Sequence, residues 1–357
     1  MEFAFNEEQR MIAETAIAFF TENATSERTR AAMAKDGIDH DLWATFCQEL
    51  GLSGIGIPED VGGAGLGLVE MAIIAEAAGA QVAALPMLGS LVMCARAIAY
   101  GGTEQQKAEL LPSLLSGERI AAYVHDAALT ASDDVLTATD GFVAHGASAD
   151  VFVVTSNSGA WIVDAPKNGT KSDGVTVTAK TTMDQTRPYA SVVLNGAKGQ
   201  PLADAATAIA CAHRAAFVAI AAEALGGAQA CLDRTVSYSK ERVQFGRPIG
   251  SFQAYKHRLA DMMIEIEQAR SAVYWAACAA DENSDEAELA MHAAKSFATD
   301  TYFRCAGDMI QLHGGIGFTW EHDAHLFFKR ARATQTALGS NNWHRAKIAD
   351  MILGAAA

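Results

Sequence analysis

ERVQFGRPIGSFQAYKHRLADM, from Glu241 to Met262, and QLHGGIGFTWEHDAHLFFKRA, from Gln311 to Ala331, are the two stretches on which the reading of this chain turns. Taken one residue at a time they are bland. Arg242 reads as a helix-end salt-bridge partner, Phe245 as core packing, and the Gly314–Gly315 pair as a helix-breaking turn. Paired glycines also permit a close backbone approach in which exposed amides cradle an anion. Their setting decides between these readings.

Outward from these stretches, the pattern is helical, then strand-rich, then helical. Asn6 followed by Gln9 is a capping pair for a first helix, preceded by Phe3 and Phe5 and carrying Met11, Ile12, Ala16, Ile17, Phe19 and Phe20 as apolar surface. A second helix is expected over Asp41–Leu50, ending at Gly51. The glycines and Pro58 of GLSGIGIPEDVGGAGLG, Gly51 to Gly67, force a turn-rich connection, and helical periodicity resumes over 68–78 and 88–100. Beyond Gly117 come short β-branched runs at 141–144, 151–154, 161–163, 175–177 and 191–194, which predict a small, mainly antiparallel sheet domain. Long alanine-rich helices follow Pro201. Asp285 with Glu288 reads as a capping box for one of them, just after a solvated acidic turn at Asp281–Ser284.

With 357 residues, half of them apolar, the chain is long enough for two or three structural units. Its net charge of −15, from 42 acidic and 27 basic side chains, argues against a nucleic-acid-binding surface but leaves room for a local basic pocket. The six cysteines, Cys47, Cys94, Cys211, Cys231, Cys278 and Cys305, show no CxxC interval and read as reduced and buried. The N-terminus lacks the pattern of a secretory signal, and a cytoplasmic location is expected. The apolar segment 208–225 is interrupted by His213, Arg214 and Glu223, so it reads as a buried or interface helix rather than a membrane span. Neither GxGxxG after a strand nor GxxxxGK[ST] occurs, so any dinucleotide must be held in another way.

The two opening stretches closely resemble the acyl-CoA dehydrogenase family. IPEDVGGAGLG, LLPSLLSGE ending at Glu118 and DQTRPYASVVLNGA from Asp184 agree with it in the same order, so the resemblance covers nearly the whole chain. It implies an α+β fold: an N-terminal helical domain over 1–117, a central β domain over 118–202 and a C-terminal four-helix bundle over 203–357. It also implies FAD, an acyl-CoA substrate, an assembly of two or four chains, and electrons passed to an electron-transferring flavoprotein. In the family, the arginine and phenylalanine of the first motif approach the flavin nucleotide of a neighbouring subunit; these match Arg242 and Phe245. A guanidinium offers several donors to a pyrophosphate, and a phenyl ring covers an aromatic or ribose surface. Gln253, Gln311, Gly314 and Gly315 match further nucleotide-proximal positions. His313 reads as a packed histidine, and His322, Asp323 and His325 as structural rather than metal-binding.

The resemblance breaks where the chemistry would be. Dehydrogenation needs a carboxylate beside the α carbon. One family position falls on Leu338, in TQTALGSN, and the other near Ala216, so no catalytic base is assigned. Glu223 lies about two turns beyond Ala216, roughly 10 Å along the helix at 1.5 Å per residue, and reads as a paired glutamate. Asp184 is expected to organise the β domain. YVHDAALTASDD, Tyr123 to Asp134, replaces the family's TEPGAGSD-like loop. These departures point to FAD-dependent dehydrogenation shared with a homologous partner subunit. The alternatives are a homomeric flavin oxidase or monooxygenase, and a noncatalytic assembly or CoA-binding subunit.

Overall fold

In a computed structural model that describes residues 5–126, 128–132, 134–157, 159–166 and 173–354, α1 (Glu7–Asn23) opens on the expected cap. Asn6 Oδ1 accepts from the Gln9 amide at 2.8 Å, while Gln9 Oε1 accepts from the Asn6 amide at 3.1 Å. Phe3 lies outside the described residues. A short helix, α2 (Ser26–Met33), is an addition to the expected elements. Next comes α3 (His40–Gln48), capped by Asp39, and the 51–67 stretch is turn-rich as expected, with 3-10 turns at Leu52–Gly54 and Glu59–Val61. After α4 (Leu68–Ala80), the segment Leu88–Ala95 winds as a π-helix and continues into α5 (Arg96–Gly101), followed by α6 (Glu104–Leu115).

The strand region holds β1 (Ala121–His125), β2 (Thr130–Ser132), β3 (Val135–Ala144), β4 (Val151–Ser156), β5 (Gly159–Asp164), β6 (Val175–Lys180), β7 (Tyr189–Lys198) and β8 (Gln200–Pro201). One sheet runs β1-β4-β5-β8, the other β2-β3-β7-β6. Pairing is antiparallel except between β1 and β4, where Ala121 registers with Val151. Both sheets contribute to one apolar core, including Phe152, Val154 and Trp161 from the first and Leu136, Val192 and Leu194 from the second. On β7 the alternation Ala190, Val192, Leu194 inward is the period-2 signal that the sequence carries. Asp184 is buried and accepts from the Thr186 amide at 2.9 Å, organising the turn before β7 as expected.

Contacts gather the chain into two compact units. The first comprises Met1–Glu27, Leu68–Ala83 and Phe217–Ala357; the second comprises Arg28–Gly67 and Ala84–Ala216 and contains both sheets. The long helix α7 (Ala205–Glu241) gives residues to both. It is long and apolar enough to cross a membrane, but 94% of its most apolar window is buried within the protein, as expected for a core helix. The first unit otherwise holds α1, α4, α8 (Gln253–Asp281), α9 (Ala287–His313), α10 (Ala324–Thr336) and α11 (Asn341–Leu353).

Two expectations for this helical unit are corrected. Asp285 and Glu288 form no capping box: Glu286 occupies the N-cap of α9 in helical geometry, without a side-chain cap bond. The Ala287 amide instead donates to the Ser284 carbonyl at 3.0 Å, so a tight turn replaces the extended cap residue that a box requires. Nor does Asp281 stand in a merely solvated turn. Its carboxylate accepts from the Leu68 and Val69 amides at 2.8 and 3.1 Å, neutralising orphan donors at the start of α4 from the end of α8.

Alpha4 and α7 cross with almost no space between their backbones. A Cβ added at Gly226 would stand 1.9 Å from the Glu76 carbonyl oxygen, and one at Gly79 would stand 2.1 Å from that of Glu223. Replacing a mid-helix glycine by alanine normally gains up to about 1 kcal/mol. Here Gly226→Ala is expected to lose about 2–3 kcal/mol through overpacking, read as a lower urea midpoint at unchanged m-value.

Candidate functional site

The end of α7 leads directly into a tight hairpin. The Arg242 amide still donates to the Tyr238 carbonyl at 2.9 Å; β9 (Val243–Gln244) then pairs with β10 (Arg247–Pro248). Phe245 and Gly246 form the tip with φ of 52° and 75°, the double left-handed geometry of a two-residue hairpin turn. For a phenylalanine that backbone costs roughly 1–2 kcal/mol, yet its ring is 93% exposed. The core-packing reading of Phe245 therefore does not hold. Arg242 is exposed beside it, while Arg247 stacks over the Phe252 ring at 4.0 Å and leaves the tip to Phe245.

The hairpin does not stand alone. Tyr238, near the end of α7, stacks on His313 with ring centroids 4.4 Å apart. Tyr255, in the first turn of α8, donates its hydroxyl to the Leu312 carbonyl at 3.2 Å. These two contacts tie the ends of α7, α8 and α9 together, so Arg242, Phe245, Gln253, Gln311, Gly314 and Gly315 gather at one end of the helical unit. Gln253, Gln311 and both glycines are exposed. Gly314 has φ 64° and ψ −140°, a region that side-chain-bearing residues avoid, and an added Cβ at Gly314, Gly315 or Gly246 would meet nothing within 4 Å. The glycines therefore face open space rather than a packed neighbour.

The nearby histidines are packed or hydrogen-bonded. His313 is buried, with Nδ1 2.7 Å from the Met309 carbonyl. His322 Nδ1 accepts from the Ala324 amide, and Asp323 takes the Ser26 hydroxyl at 2.5 Å and Arg234 at 3.1 Å. His325 packs its ring 4.5 Å from that of Trp320.

At the two family base positions there is no carboxylate. Leu338 lies between α10 and α11 with φ 51°, and Ala216 is buried in α7. The loop around Leu338 is held by buried Lys295, whose Nζ donates to the Gln335 carbonyl at 3.0 Å, the Gly339 carbonyl at 2.7 Å and Asn341 Oδ1 at 3.2 Å. Beside it, His292 and His344 meet Nδ1 to Nδ1 at 2.7 Å, and Phe217 packs its ring 5.0 Å from that of His344. Glu223 is consumed elsewhere: buried, it accepts from Arg330 Nη1 at 2.9 Å.

A polar cluster that the motif comparison passes over lies in the sheet-containing unit. Tyr123, on β1, has its hydroxyl 3.3 Å from His213 Nε2, on α7. Two residues along β1, His125 Nδ1 lies 3.1 Å from Thr155 Oγ1, and its ring is 5.9 Å from that of His213. The Thr155 hydroxyl donates to the Val124 carbonyl at 3.2 Å, which leaves its oxygen to accept from His125. Ala127 and Asp133 of the Tyr123–Asp134 stretch lie outside the described residues. The available signal was local: His213 stands one turn before Ala216 on the same helix face.

Burial, and then the neighbouring His125, lowers His213 to about 4; burial, Lys295 and His292 lower His344 to about 3. Folding keeps both rings neutral where the unfolded chain would bind protons, so stability is complete above pH 6.5 and falls as pH drops toward 4 and 3. The denaturation midpoint is expected to fall across that window, and His344→Gln to flatten its lower end.

The chain matches "Acyl-CoA dehydrogenase, N-terminal domain" over residues 6–118 and "Acyl-CoA dehydrogenase, C-terminal domain" over residues 213–353. It is 35% identical to the acyl-CoA dehydrogenase IpdE2 of Mycolicibacterium smegmatis, over 94% of this chain and 95% of that protein. Among solved structures, the ChsE4–ChsE5 complex of Mycobacterium tuberculosis superimposes with a TM-score of 0.90 at 28% identity over all of both chains. The Tcur3481–Tcur3483 steroid ACAD, in a variant form, gives 0.86 at 30% identity over 97% of this chain and 98% of that one. Helices, sheets, helices in that order, and sequence matches over both helical regions, agree: this chain belongs to the acyl-CoA dehydrogenase family.

Proposed function

We propose that this chain serves FAD-dependent α,β-dehydrogenation of an acyl-CoA thioester as one component of a mixed-subunit dehydrogenase that passes its electrons to an electron-transferring flavoprotein. The observation that carries the proposal is the outward display of the six residues that match the family's nucleotide-proximal positions. Arg242, Phe245, Gln253, Gln311, Gly314 and Gly315 sit at one exposed end of the helical unit, with a phenyl ring held out at a strained hairpin tip. That arrangement suits a cofactor held by another chain. The nucleotide half of FAD fits it: open space fronts the glycines, the Arg242 guanidinium would hold the pyrophosphate, and Phe245 would cover the adenine or ribose.

When bound, FAD supplies the acceptor for the hydride that leaves the β carbon. Both family positions for the base are apolar in this chain, Leu338 and Ala216, so the carboxylate that takes the α proton would come from the partner chain. That loss also favours a second reading, a noncatalytic assembly subunit; it predicts that turnover of the assembled enzyme is unchanged when Arg242 is removed.

Two-chain assemblies among the similar structures, ChsE4–ChsE5 and Tcur3481–Tcur3483, support a related partner. The second is described as a steroid enzyme, which makes CoA thioesters of steroid-derived acids the first substrates to try. The test is co-expression with a related chain that carries glutamate at the position of Leu338 or Ala216, followed by native mass and flavin content. A mixed assembly containing FAD is expected. A homomer that is already saturated with FAD and ignores the second chain would contradict the reading.

A further inference from the structure

We infer that α11, with the loop joining it to α10, is an acid-released latch: protonation of the facing His292 and His344 rings frees it from α9 while the rest of the helical unit stays folded. The inference stands apart from the dehydrogenase reading.

The first argument is how little apolar burial holds α11. Of its 13 residues only Asn341 and His344 are buried, and both are polar. A helix seated by an apolar stripe is indifferent to protons, whereas one seated by ionisable groups is not. Here the seat is a polar cluster on α9. Asn341 Oδ1 accepts from Lys295 Nζ at 3.2 Å and Thr299 Oγ1 at 3.0 Å, and Asn341 Nδ2 donates to Asp300 at 2.7 Å. Arg345 adds an ion pair with Asp300, and His344 meets His292 Nδ1 to Nδ1 at 2.7 Å.

The second argument is what that imidazole pair demands. One ring must offer a lone pair to the N–H of the other. Once both are protonated, two N–H groups face each other with no acceptor between them. The charged groups around the pair are Glu288, Lys295 and Asp300 from α9 and Arg345 and Lys347 from α11, while α7 presents only the Phe217 ring. Asp300 is engaged by Arg345, Asn341 and Gln335, which leaves Glu288 to offset Lys295 and Lys347. Burial lowers Lys295 to about 8, so it stays charged at neutral pH and below.

The sign follows from proton binding. Docked, His344 is held at about 3 by burial, then by Lys295 and His292; released into water, it returns to its ordinary value of 6.5. The released helix therefore binds more protons below pH 6.5, and acid favours release. His292 is lowered in the same direction, by burial first. Release also frees the loop, because Lys295 ties the Gln335 and Gly339 carbonyls to Asn341, the first residue of α11. Order around Leu338 is thereby coupled to pH. The alternative is an inert histidine pair in a bundle that opens only as a whole.

Hydrogen exchange of the full chain, read by mass spectrometry at about pH 7 and about pH 5 and corrected for intrinsic rates, tests the latch. Protection of the α11 amides is expected to fall about 20-fold between the two, the change given by one ring whose affinity for a proton shifts as that of His344 does. Amides of α7, α8 and α9 should stay protected. His344→Gln keeps a polar group beside His292 but takes up no proton, and it should remove most of the fall. If that variant releases α11 already at neutral pH, the wild-type series still decides. Amides of α11 that follow those of α7 and α8 at both pH values would show that the unit opens as one and would overturn the latch. An undiminished fall in a folded His344→Gln would do the same.

Discussion

Arg330→Met is expected to lower the unfolding free energy by about 3–5 kcal/mol, the cost of leaving one partner of a buried ion pair uncompensated. Arg330 and Glu223 have side chains only 4% and 8% exposed and meet at 2.9 Å, joining α10 to α7 inside the helical unit. A surface pair at the same distance would be worth no more than about 1 kcal/mol. Burial decides the size here, because the stranded carboxylate cannot recruit bulk water. Removing both partners together, Arg330→Met with Glu223→Leu, should recover most of the loss, since no charge is then left behind. Urea unfolding of the two single variants and the double variant measures the coupling. A loss below about 1 kcal/mol in Arg330→Met would mean that the carboxylate finds another buried donor.

The second large effect belongs to Arg242, at the exposed end of the helical unit. Arg242→Met is expected to weaken FAD binding by roughly 10- to 100-fold, because a hydrogen bond to a charged group contributes about 1.5–3 kcal/mol. Arg242 is exposed, so the melting temperature of the flavin-free protein should not change. Equilibrium dialysis of the assembled complex against FAD reads the affinity directly. A binding loss accompanied by an equal loss of fold stability would instead return Arg242 to the role of a helix-end salt-bridge partner.

Much of this architecture is legible in the sequence because it rests on short-range rules. The Asn6–Gln9 box, the turn-rich 51–67 stretch and the inward alternation of β7 are each fixed by residues close together in the chain. Where a partner is distant, local reading fails. Asp281 looks like a solvated turn residue until Leu68 and Val69, over two hundred positions earlier, donate to it. Asp285 and Glu288 have the spacing of a capping box, but the turn built on Ser284 puts Glu286 at the cap instead. Strand β1 is hidden because Ala121 to Val124 are all buried, without the alternation that marks a half-exposed strand. The motifs single out Arg242, Phe245 and the glycines as candidates; that Phe245 is displayed rather than packed depends on a hairpin whose twist only the fold reveals. The Tyr123–His213 pair spans ninety residues and follows no motif, so nothing in the linear pattern brings those two side chains together.

The central claim, that this chain works in acyl-CoA dehydrogenation as part of a mixed assembly, is tested most directly by anaerobic titration of the flavin with acyl-CoA thioesters, steroid-acid thioesters included. The absorbance of oxidised flavin is followed for the chain alone and for the chain co-purified with its related partner. The account predicts strong bleaching in the mixed material and little in the chain alone. Equal bleaching per flavin in both would contradict the need for a partner, and flavin that stays oxidised in both under every thioester would contradict the dehydrogenase assignment.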